Sequence, residues 1–331
     1  MKLKTTNNRF RLSASTLKSY SSCSWQYFAK KHLRLPDEGN DGSNRGSINH
    51  TLFECLTKRF LRSGCKKLTQ SIVDAGNPFL VPVINRFLEK QFRKYQLGDF
   101  DNKNQNNRDL VRTMIVMALT SDFYNEGMQT LSAEQEILIE TPEYALVGYI
   151  DKLVHDEVND KFLIIDYKSS QSIDDHKTQA LCYALWCLKV RGKQSKAVFV
   201  NLRFPDEPFS CYEFSDEQLW GFEQYLVYMY GLLTNFDENK ASANFAADLG
   251  YLPKGAPFGG RAQCGYSKFP GHKNKLGKEY YVCFAKFPRK YYGITNEQGD
   301  IVRTADTAEQ LGWKPGDGQI VELAYKGCPK F

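Results

Sequence analysis

The stretch Leu146-Val147-Gly148-Tyr149-Ile150-Asp151, followed by Phe162-Leu163-Ile164-Ile165-Asp166-Tyr167-Lys168, holds two apolar runs that each end on an aspartate. In the second run a carboxylate and an ammonium stand two residues apart, and the period of a strand puts them on one face. The residues between the runs are turn-like, and a hairpin centred on Val158 and Asn159 sets Asp151 directly opposite Asp166. Like charges opposed across strands are unfavourable. An opposed aspartate pair beside a lysine therefore suggests that a cation completes the site, and hard oxygen ligands favour Mg²⁺ or Mn²⁺. Register decides the matter, because a slip of one residue sends one carboxylate to the other face. Taken alone, the two aspartates also read as strand ends and Asp-x-Lys as a surface ion pair, which is the commoner meaning of that motif.

Working outward, the pattern predicts a third strand before the pair, so that Glu134–Glu140, Tyr144–Asp151 and Lys161–Lys168 form a meander. A helix over about Asp174–Val190, a strand over Ala197–Phe204 and a long helix over Asp216–Phe236 follow. Upstream, Ser13 and Ser15 offer caps for a helix running toward Pro36, with a loop from Asp37 to Arg45. Ile48, Leu52, Leu56 and Phe60 recur at steps of four, which predicts a second helix ending near Gly64 with His50 in its first turn. Further helices are expected over Pro82–Leu97 and Arg108–Tyr124. The order implies an α/β core of mixed strand directions. Three parts are expected: a helical region over 1–130, the core over 131–249, and a basic, aromatic extension over 250–331 with short β pieces such as Tyr291–Val302.

Composition excludes several classes. With 42% hydrophobic residues the 331-residue chain can bury a sizeable core and is not a disordered one. Its longest apolar stretch, Ala180–Leu188, is too short for a spanning helix, so no membrane partner is expected and the chain reads as cytoplasmic. Nine cysteines without a CxxC pair fit reduced thiols. Charge is uneven: residues 1–34 hold eight Lys or Arg and no acid, and 250–331 hold thirteen basic against seven acidic residues. Basic ends around an acidic middle suit a polyanion held over a metal site, and equally suit a solvated basic surface.

Four elements occur in a set order: Gly46-Ser47-Ile48-Asn49-His50, Gly148-Tyr149-Ile150-Asp151, Asp166-Tyr167-Lys168 and Gln179-Ala180-Leu181-Cys182-Tyr183. Leu12-Ser13-Ala14-Ser15-Thr16-Leu17, with Tyr20, Cys23 and Phe28, precedes them. Over about residues 12–205 the chain resembles the RecB-like branch of the PD-(D/E)XK nuclease superfamily, including the exonucleases of CRISPR adaptation and AddB-type recombination. The resemblance implies a restriction-endonuclease-like core in which His50, Asp151, Asp166 and the backbone carbonyl of Tyr167 bind the catalytic divalent ion. Lys168 would orient or deprotonate the attacking water, and Gln179 and Tyr183, one helical turn apart, would support the site against DNA.

Several such relatives carry an iron-sulfur cluster held by one early and three late cysteines. Here Cys23 takes the early position, but only Cys264 stands in the late run, with Ser267 and Lys273 unable to supply thiolates, so no cluster is expected. No Gly-x4-Gly-Lys-Ser/Thr loop occurs, so unwinding would come from a helicase or recombination partner. The expected activity is that of a Mg²⁺ or Mn²⁺ dependent deoxyribonuclease, an exonuclease on single-stranded DNA or duplex ends in recombination, repair or degradation, of a kind that would suit a phage. A structure-selective endonuclease and a non-catalytic DNA-binding protein on the same fold are the alternatives.

Overall fold

Among the described residues six α-helices precede the first strand: α1 (Ala14–Ser22), α2 (Ser24–Lys31), α3 (Asp41–Ser63), α4 (Lys66–Ala75), α5 (Pro82–Lys94) and α6 (Asn107–Thr120). There follow β1 (Met128–Glu140), β2 (Ala145–Asp156), β3 (Lys161–Lys168), α7 (Lys177–Arg191), β4 (Ser195–Asn201), β5 (Phe209–Glu213), α8 (Asp216–Thr234) and α9 (Ala241–Asn244). The chain closes with β6 (Lys268–Lys273), β7 (Glu279–Tyr281), β8 (Arg289–Thr295), β9 (Ile301–Ala305) and β10 (Ile320–Tyr325). The structure is a computed structural model that describes residues 10–37, 41–63, 66–101, 104–121, 128–237, 240–246, 268–273, 279–281 and 283–329. No helix among these is long and apolar enough to cross a membrane.

One compact unit comprises the described residues of 11–14 and 39–230. Its five strands lie in the order β1-β2-β3-β4-β5, with β3 and β4 parallel and the other pairs antiparallel. The mixed α/β core expected from the sequence is the one observed. Parallel pairing of β3 and β4 requires a crossover, and α7 supplies it. A core cluster joins Val154, Leu163, Ile165, Tyr167, Val198 and Val200 of the sheet to Ile48, Leu52 and Phe53 of α3 and to α5 and α6. Each large side chain buried there contributes roughly 1.5–3 kcal/mol, and together they fix α3 against β3. On the opposite side of the meander, Gly148 leaves room for Ile137: a Cβ at 148 would stand 3.1 Å from it and 3.9 Å from the ring of Tyr183.

The second unit comprises the described residues of 15–38 and 231–329. Its sheet runs β10-β8-β9, all antiparallel, so the expected β piece at 291–302 is the β8–β9 hairpin. Trp25 donates to Tyr325 at 2.7 Å and Tyr291 to the Leu33 carbonyl at 2.9 Å, tying α2 and the residues just after it to this sheet.

Three expectations are corrected. The first helix is not continuous: Cys23 takes an extended conformation, splitting it into α1 and α2, which ends before Pro36. The segment 41–45 is helix and not loop, because Arg45 is buried, donating to Asn107 Oδ1 at 2.6 Å and meeting Asp101 at 3.4 Å. His50 consequently lies in the middle of α3 and not in its first turn. The sequence also left α4 and the short edge strand β5 unmarked. Gly64 and Cys264 lie outside the described residues.

Candidate active site

The ladder between β2 and β3 runs from Asp156 opposite Lys161 to Lys152 opposite Ile165, and its continuation sets Asp151 opposite Asp166. This is the register expected from a turn at Val158 and Asn159. Past Lys152 the Asp151 carboxylate takes over from the backbone, Oδ2 accepting the Tyr167 N–H at 2.8 Å. The Tyr167 side chain points into the core, its ring 4.4 Å from that of Phe53. Only its backbone therefore faces the site.

Helix α3 brings in His50, whose Nδ1 lies 3.1 Å from Asp151 Oδ2. Gly46, one turn earlier, permits the close approach: a Cβ there would stand 2.7 Å from the Ser169 hydroxyl, just beyond β3. A third acidic position, unmarked by the sequence, comes from β1. Glu134 falls between the pairs Ala133–Lys152 and Gln135–Ile150, so its register position is opposite Asp151. Its φ of 50° is left-handed, a conformation costing a non-glycine residue roughly 1–2 kcal/mol. This bend in β1 accompanies a cluster in which ligand atoms of His50, Glu134 and Asp151 all lie within 4.8 Å of one another. Glu134 is one of two glutamates in the polar run Glu134-Gln135-Glu136, so nothing in the sequence singles out 134.

Asp166 is held by its own chain. Its Oδ1 lies 2.5 Å from Lys168 Nζ, and its Oδ2 accepts from Gln179 Nε2 at 2.8 Å and lies 2.9 Å from the Tyr183 hydroxyl. Lys168 also donates to Gln179 Oε1 at 2.9 Å, and Gln179 reaches the Tyr183 oxygen at 2.6 Å. Tyr183 lies 2.6 Å from the Tyr149 carbonyl, so its single proton serves either that oxygen or Asp166. The i, i+4 spacing on α7 thus places Gln179 and Tyr183 together beneath the aspartate. The structure brings His50, Asp151, Asp166, Lys168, Gln179 and Tyr183 into one locality.

Electrostatics there are unbalanced among the described residues: the carboxylates of Glu134, Asp151 and Asp166 crowd together, with Lys168 against Asp166 and Lys58 acting on Glu134. Burial, then the charge of Asp151, raises the pKa of Asp166 against the opposing pull of Lys168. Glu134 is raised by burial and by Asp151 and Glu54. At His50, burial opposes protonation, but the hydrogen bond to Asp151 and the charges of Asp151 and Asp166 outweigh it and the pKa rises. Tyr183 is pushed well up by burial and the two aspartates, so it remains a neutral donor. Clustered like charges held by neighbours that force them together are what a cation relieves. An imidazole nitrogen beside carboxylate oxygens is a donor set that suits a divalent ion such as Mg²⁺ or Mn²⁺. The residues present fit such a group.

The mixed sheet thus carries convergent carboxylates and a lysine at the open end of its hairpin. The sequence profile of the PD-(D/E)XK nuclease superfamily matches residues 11–263, well over half the chain, and the chain belongs to that superfamily. A crystal structure of a candidate exonuclease from Eubacterium rectale matches with a TM-score of 0.39 at 13% identity, over 71% of this chain and 80% of that one. No curated protein matches in sequence.

Proposed function

We propose that this nuclease is a divalent-metal-dependent deoxyribonuclease of the RecB-like branch, acting as an exonuclease on single-stranded DNA or duplex ends. The observation that carries the reading is the adjacency of the His50, Glu134 and Asp151 cluster to the Asp166 and Lys168 pair. His50, Asp151 and Asp166, with the Tyr167 carbonyl, would hold the ion, and Glu134 joins that set. Such an ion supplies a lowered pKa to bound water and compensates charge on the phosphate. The chain's own part is positioning. Lys168 has three N–H groups, of which two serve Asp166 and Gln179, and the third would orient the attacking water or the scissile phosphate. Gln179 and Tyr183 fix the carboxylate and ammonium so that neither must reorganise during reaction. With no phosphate loop for ATP in the sequence, a helicase or recombination partner would supply unwinding on duplexes.

The test is cleavage of end-labelled linear and circular single-stranded DNA, with RNA alongside, in Mg²⁺, Mn²⁺ or EDTA, for wild type and Asp166→Ala. Metal-dependent loss of linear DNA only, abolished by the substitution, is the expected result. Cutting of circles would make the enzyme an endonuclease, and DNA binding without cleavage under any condition would contradict the reading.

A further inference from the structure

Among the described residues of the hairpin strands, Tyr149 is an exception. It lies two residues before Asp151 on β2, with Ile150 fully buried between them, so strand alternation gives Tyr149 and Asp151 the same face. The residue is 55% exposed although it is tied into the site through its backbone, the carbonyl lying 2.6 Å from the Tyr183 hydroxyl. Two residues of strand span about 6.6 Å, the scale on which a base stands off from the phosphate of its own nucleotide.

The groups around it argue for what the ring does. Across the ladder is Glu136, and beyond it lie Glu134 and Asp151. This row of carboxylates repels a phosphate backbone, so beyond the reach of a bound ion and of Lys168 the strand is better held by a contact that needs no positive charge. A flat, exposed, neutral aromatic surface supplies one, because every base has a π face and stacking is indifferent to sequence.

We propose that Tyr149 is a positioning residue that stacks on the base next to the scissile phosphate, favouring strands whose bases are already unstacked. The proposal rests on the nuclease reading above for its substrate. Loss of one stack should raise KM roughly tenfold, within the range for a single base–aromatic contact, while kcat changes little.

The experiment scans one abasic residue along a single-stranded oligonucleotide and measures kcat and KM with Mn²⁺ for wild type, Tyr149→Phe and Tyr149→Ala. Wild type and Tyr149→Phe should show a KM penalty when the missing base adjoins the cleaved bond, and Tyr149→Ala should carry the raised KM whatever the abasic position. A penalty retained in Tyr149→Ala, or absent from wild type, overturns the proposal. A second readout needs no cleavage: in Ca²⁺, a 2-aminopurine oligonucleotide should be quenched more by wild type and Tyr149→Phe than by Tyr149→Ala. Equal quenching would overturn the stack, whereas failure of wild type to cut any strand would strike at the nuclease reading alone.

Discussion

The β2–β3 hairpin has acidic residues at both ends, and the two ends treat them oppositely. At the turn, Asp156 accepts the N–H groups of Val158 and Asn159 at 3.1 Å each and the Asn159 side chain at 2.8 Å. Asp160 meets Lys193 and lies 3.0 Å from His155. Each carboxyl is held below its usual range, Asp156 chiefly by the Asn159 side chain and Asp160 chiefly by Lys193. At the open end, burial and the charge of Asp151 drive Glu134 and Asp166 the other way. The turn is electrostatically self-sufficient, whereas the open end lacks positive charge that the chain does not itself provide. Carboxylates thus separate into a structural pair at the turn and a ligand-seeking set at the open end.

The sharpest way to break this comparison is to remove the ammonium that meets Asp166 at the open end. Lys168→Ala should lower kcat by at least about 10²-fold, the scale of losing a preorganised charged donor, with folding and metal binding largely intact. Full activity in that variant would refute its assigned role. Asp166→Asn should weaken cleavage and metal affinity together, read by activity and by calorimetric titration with Mn²⁺.

Glu134→Gln sharpens the contrast through stability. A carboxyl whose pKa is raised by folding contributes stability that is complete below its unfolded value, near 4.3, and lost as pH rises through the folded one. In EDTA at pH 7 the variant should therefore melt above wild type, the gap closing as pH falls toward 4. Saturating Mn²⁺ should reverse the ranking, since a ligand at 100 times its Kd stabilises the native state by about 2.7 kcal/mol. The turn carries the opposite sign: its lowered carboxyls contribute stability above the unfolded value that is lost as pH falls through the folded one. Asp160→Ala, at an exposed position, should show the smallest effects: a slight loss of Tm that fades in acid, and unchanged cleavage.

The two ends also differ in how far they could be read from sequence. The hairpin register followed from alternation and the turn residues, because a buried face on β3 tolerates no slip. That placed Asp151, Asp166 and Lys168, and the spacing on α7 placed Gln179 and Tyr183. Glu134 was illegible because its position depends on a single left-handed residue in β1, a tertiary outcome without a pattern. The start of α3, rich in Gly, Ser and Asn, reads as loop, since the buried contacts of Arg45 with Asn107 and Asp101 that hold it helical are long-range. The break at Cys23 and the short edge strand β5 likewise have no local signal strong enough to mark them.

The most direct test of the central claim is Mn²⁺ binding, followed by electron paramagnetic resonance, in wild type, Asp151→Ala and Asp160→Ala. Binding in wild type and Asp160→Ala that is lost in Asp151→Ala is the predicted result. Undiminished binding in Asp151→Ala would contradict the assignment of the cation to the open end of the hairpin.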